Sequence, residues 1–82
     1  MHELSIAESI IDGARQTLAA RPGDTLRKIG LRIGTYAAVD LDSLTFCFDA
    51  VTKGTDLEGA ALIVEQTPGG ELEYAYFELE TP

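Results

Sequence analysis

An α+β domain, with two helices on one face of a three-stranded sheet in the order α-β-α-β-β, is predicted by three observations. Leu4, Ala7, Ile11, Ala14 and Leu18 recur at helical spacing, and so do Leu44, Cys47, Phe48 and Val51. Ile29, Leu31 and Ile33 instead alternate with Lys28, Gly30, Arg32 and Gly34, the period of a strand with one buried face. Two further β-favouring clusters follow the second helical stripe. With 82 residues, 45% of them hydrophobic, the chain can close one modest core and not two, so a single domain over residues 1–82 is expected.

The first helix carries Ile10 on the widened apolar stripe and Glu8, Asp12, Arg15 and Gln16 opposite. Ser5 with Glu8 would make a capping box, while a start near Glu3 is the alternative. Gly13 weakens the helix interior, and Arg21-Pro22-Gly23-Asp24 ends it. The first strand is expected over Thr25 to Ile33. Asp40 is the expected N-cap of the second helix, and Lys53-Gly54 its basic end and glycine stop. Leu62, Ile63 and Val64 predict a second strand running to Thr67, after a turn at Asp56-Leu57-Glu58-Gly59. The tail from Glu71 to Leu79 is the third. Pro68-Gly69-Gly70 between the last two strands reads as a tight hairpin connection, because glycine supplies the positive φ such turns need.

Charge limits the partners. A formal charge of −8 at pH 7, with six Lys and Arg scattered along the chain, repels a phosphate backbone and an anionic membrane surface, so neither nucleic acid nor membrane is expected. One cysteine allows neither an internal disulfide framework nor a cysteine-based zinc site. No signal peptide and no membrane-spanning stretch is visible, and a cytoplasmic protein is expected.

Met1-His2-Glu3 is the candidate metal site. The α-amine, the first amide nitrogens and the imidazole Nδ1 can close small fused chelate rings in one plane, and such nitrogen-rich square-planar coordination suits Ni(II) or Cu(II) better than zinc. A solvated terminus is the bland alternative for His2, the single histidine. Glu3 reads either as an oxygen ligand or as a first-turn acid that complements the positive end of the helix. A cation there meets the same positive helix end, and deprotonated amides with a nearby carboxylate would offset the repulsion, making affinity depend on pH.

The other residues with chemistry fit the core or a surface. Cys47, between Phe46 and Phe48 on the apolar side of the second helix, reads as a small core hydrophobe, and with the histidine far away in sequence no nucleophile with a base is evident. Gly30 and Gly34 belong to a strand and its exit and precede no helix as a nucleotide fingerprint requires. No paired acid and base points to an enzyme. Tyr74, Tyr76 and Glu78 alternate with Ala75, Phe77 and Leu79. One set is expected on the helices and the other over the outer sheet face, where aromatics can also anchor a partner. Free strand edges leave a monomer or weak homodimer as the expected state.

The opening Met1-His2-Glu3-Leu4-Ser5, then Ile29-Gly30-Leu31-Arg32-Ile33-Gly34, Val39-Asp40, Leu44-Thr45-Phe46-Cys47-Phe48, Val51 through Ala60 and Leu62-Ile63-Val64-Glu65 resemble the HypA/HybF hydrogenase nickel-incorporation family, in family order over most of the chain. The resemblance implies a nickel metallochaperone-like role in [NiFe]-hydrogenase maturation, with Ni(II) held by Met1, His2 and Glu3. It also implies as partners a HypB-like GTPase nickel chaperone and the hydrogenase large-subunit precursor; some family members serve urease. The family carries a zinc-binding insert with two CxxC pairs after the stretch ending near Pro68-Gly69, whereas Cys47 is the single cysteine here. No zinc is therefore expected, and a short turn near 68–70 is expected in place of the zinc subdomain. The alternatives are a non-enzymatic docking module of the same pathway that has lost metal delivery, or an engineered deletion of the zinc domain.

Overall fold

The computed structural model describes residues 2–82. The elements are α1 (Glu3–Ala19), β1 (Thr25–Gly34), a 3-10 turn at Thr35–Ala37, α2 (Leu41–Thr52), β2 (Ala61–Thr67) and β3 (Leu72–Glu80), the expected α-β-α-β-β order. Helix α1 begins at Glu3 with His2 as its N-cap residue, so the Ser5 capping box is not used. Helix α2 starts as its sequence predicts, with Asp40 Oδ1 accepting from the Ser43 amide at 3.1 Å.

β1 is the central strand, and the sheet order is β2-β1-β3. It pairs with β2 in parallel and with β3 antiparallel. A parallel pair requires a crossover, and α2 supplies it. The last two strands therefore do not form the hairpin that Pro68-Gly69-Gly70 suggested. Residues 68–71 instead bridge the end of β1, where the Gly34 amide donates to the Glu71 carbonyl at 2.7 Å and the Tyr36 amide to the Gly69 carbonyl at 2.8 Å. Gly69 does hold a positive φ of 115°, so the turn chemistry was read correctly and the strand pairing was not. The bridge needs close backbone approach: a Cβ on Gly34 would run into the Gly69 backbone, so glycine at 34 admits the passing chain. Four residues easily span two strand spacings of about 4.8 Å each.

The core lies between β1 and the helices. Ile29, Leu31 and Ile33 of β1 meet Leu44 and Phe48 of α2 and Ala7, Ile10 and Ala14 of α1. The α1 stripe is thus centred on 7, 10 and 14, while Leu4 at the helix head is 51% exposed. Cys47 packs against this core, as expected. Phe48 is fully buried, and such burial contributes about 1.5–3 kcal/mol.

A register shift between Gly30 and Leu31 against β3 changes the fate of the tyrosines. Tyr76 pairs with Gly30 and lies over it on the outer face. Two residues earlier on the strand, Tyr74 pairs with Leu31, a core-facing residue, and its hydroxyl donates to the Ser9 carbonyl of α1 at 3.0 Å. The expected single set is therefore split between the two faces, because one extra residue on β3 inverts the alternation. Tyr74 also accounts for Gly13. A Cβ there would fall 2.7 Å from the tyrosine hydroxyl, so the helix-weakening glycine makes room for a strand side chain. Ile63 of β2, the other partner of Gly30, is exposed as well, and charged pairs flank them: Arg32 with Glu65 at 3.2 Å and Lys28 with Glu78 at 3.9 Å, each across neighbouring strands.

Candidate metal centre

His2 and Glu3 sit at the head of α1. The His2 carbonyl accepts the first helical hydrogen bond, from the Ile6 amide at 3.1 Å, and its side chain caps nothing. The imidazole is exposed and uncommitted. An α-helix leaves its first amides without intrahelical acceptors, so this start keeps backbone nitrogens and an imidazole together without a competing cap. Met1, the third member of the expected chelate, lies outside the described residues.

Glu3 has a partner that neither sequence reading included. Its Oε2 accepts from the backbone amide of Asp40 at 3.1 Å, across 37 positions of sequence. That hydrogen bond is the main cause holding the Glu3 carboxyl below its ordinary 4.5, with partial desolvation pulling the other way. Asp40 in turn caps α2 through its side chain, so the starts of the two helices are tied by Glu3 and Asp40 acting in sequence. No sequence signal could have found this contact, because a backbone donor has no residue signature. The carboxylate fixed in this way places negative charge beside His2.

Among the described residues no three His, Cys, Asp or Glu side chains converge on one point. Side chains of the described residues thus do not by themselves form a ligand set at the head of α1. The Cys47 thiol packs on the core and offers no second site.

Residues 1–71 match the family model described as hydrogenase/urease nickel incorporation, metallochaperone, HypA. The chain belongs to the HypA family. A hydrogenase maturation factor HypA from Azotobacter chroococcum is 45% identical over 69 residues, covering 84% of this chain and 61% of that protein. A namesake from Chlorobium phaeobacteroides is 47% identical over 74 residues, covering 89% of this chain and 66% of its own length. The chain thus spans less than two thirds of the HypA relatives it matches. The fold is similar to the solution structure of the Ni metallochaperone HypA from Helicobacter pylori, with a TM-score of 0.82 over the whole chain at 14% identity. The HypA family is one of metal carriers for hydrogenase and urease, not of enzymes. No described helix is long and apolar enough to cross a membrane.

Proposed function

We propose that this chain is a nickel-binding accessory domain for [NiFe]-hydrogenase maturation that holds Ni(II) through Met1, His2 and Glu3. One observation carries the reading: in a member of the HypA family, the single histidine stands exposed at an uncapped helix start, beside a carboxylate fixed by the Asp40 amide. The amine, the amide nitrogens and the imidazole would supply the donors, and Glu3 would add an oxygen or balance the positive helix end. Proton release from amides and amine makes uptake rise with pH. The role implies cytoplasmic work with a HypB-like GTPase nickel chaperone and a hydrogenase large-subunit precursor. The whole domain would then be the nickel-binding unit of such a factor, with residues 68–71 standing where relatives carry their zinc subdomain.

Isothermal titration of the untagged protein with Ni(II) is the test. Uptake near one ion per chain, with the visible band of a square-planar nitrogen site, is expected. Equal uptake after acetylation of the terminal amine, or by His2→Ala, overturns the site.

A docking module without metal delivery is the second reading, favoured by the engagement of Glu3 with Asp40. Binding to the GTPase that is indifferent to nickel, together with no nickel uptake, would select it.

A further inference from the structure

A groove of about 270 Å³ runs between α1 and β3, lined by Ser5, Ile6, Ser9, Ile10, Leu72 and Tyr74. Its surface is mostly apolar. For scale, a cavity of about 150 Å³ holds benzene, and sites for drug-sized ligands begin near about 300 Å³. The groove is thus sized for one or two apolar side chains, not for a cofactor.

Its rim is acidic. Glu8 and Asp12 each follow a groove serine by three positions, on the same edge of α1, and both are exposed. The Tyr74 phenol, which closes one end, is raised above its ordinary value by burial and then by the charge of Asp12. Neither Glu8 nor Asp12 has an ion-pair partner among the described residues. The chain's own cations are committed elsewhere: Arg15 to Asp56, Arg21 to Asp24, Arg27 to Glu80, Lys28 to Glu78 and Arg32 to Glu65, leaving only Lys53 of the six. A second copy, itself at −8, has almost no positive charge to bring. An occupant must therefore be a different molecule, apolar in the middle and cationic at its flanks.

We propose that this groove docks a cationic amphipathic segment of a partner protein, an apolar side chain entering between α1 and β3 and Lys or Arg residues lying over Glu8 and Asp12. His2 stands three positions before Ser5 on the same helix, so the docked segment comes within about one helical turn, about 5.4 Å, of the head of α1. The docking itself needs no metal.

The probe is a labelled synthetic peptide with leucines along one helical face and flanking lysines, titrated into metal-free protein by fluorescence anisotropy and amide chemical shifts. Metal-free protein keeps the outcome separate from that of nickel chelation. Shifts confined to 5–12 and 72–74 are expected. Binding should be at least about tenfold tighter than that of peptides with glutamate for lysine or serine for leucine. Ser9→Arg, at an exposed position, should weaken it by about tenfold, and Ser5→Arg should do the same if the first variant is poorly folded. Equal binding of the serine peptide, shifts spread over the acidic surface, indifference to both arginine variants or no binding overturns the proposal. Concentration-dependent dimers abolished by Ser9→Arg would also overturn it, assigning the groove to a second copy.

Discussion

Helix α2 begins with a capped turn and helix α1 with an uncapped one, though both carry an acid in the first turn. At α2 the Asp40 side chain accepts from the Ser43 amide and its carbonyl accepts from Leu44, so the start carries its own cap, while the Asp40 amide donates to Glu3 of α1. At α1 the N-cap residue is a histidine that makes no capping bond. An N-cap of the usual kind is worth about 1 kcal/mol, and α1 forgoes it. Two remote contacts hold the helix instead: Glu3 on Asp40 and Tyr74 on Ser9. A helix start secured from a distance can leave its own first residues free for a ligand, and one secured by its cap cannot.

Converting the open start into a closed one breaks the comparison most sharply. His2→Ser should lower nickel uptake by more than about tenfold by titration calorimetry. The same change should raise unfolding stability by about 0.5–1 kcal/mol in urea. A serine variant that kept its nickel would show that imidazole is not a donor. The reverse change at α2, Asp40→Ala, should cost about 1 kcal/mol in the same unfolding experiment. A cost near zero would mean that α2 too is held by its tertiary contacts.

The remote anchors can be probed separately. Gly13→Ala should fail to deliver the roughly 0.8–1 kcal/mol that an exposed helix interior gains from alanine, because its Cβ meets Tyr74. In a Tyr74→Ala background the same substitution should recover that gain, a coupling readable by a double-mutant cycle. Additive effects would remove Tyr74 as the reason for the glycine.

The smallest effect concerns pH. The folded-state pKa of Glu3 is depressed, so its contribution is complete above the ordinary value of 4.5 and is lost as pH falls through the lowered folded value. Glu80, held down by its hydrogen bond and charge pairing with Arg27, behaves with the same sign. Glu3→Gln should therefore flatten, without abolishing, the loss of stability in urea between neutral pH and about pH 3. An unchanged slope would mean that the Asp40 contact does not persist in solution.

Much of this molecule was legible from residues alone, because the signals concerned are local. Apolar spacing fixes α1 and α2, alternation fixes β1, and Asp40 announces its own helix start, since a short acceptor three residues before an amide acts within one turn. The glycine turn at 69 is likewise written along the chain, and the order Met1, His2, Glu3 is what motivates the proposed nickel site. Tertiary structure decided what depends on distance. Which strand took the centre was settled by where the crossover and the 68–71 bridge placed β2 and β3 around β1, a competition between pairings that no window of sequence contains. The split of Tyr74 from Tyr76, the space at Gly13 and the Asp40 amide under Glu3 have the same origin: a register shift and a backbone donor carry no residue pattern, so they exist only once the chain has packed.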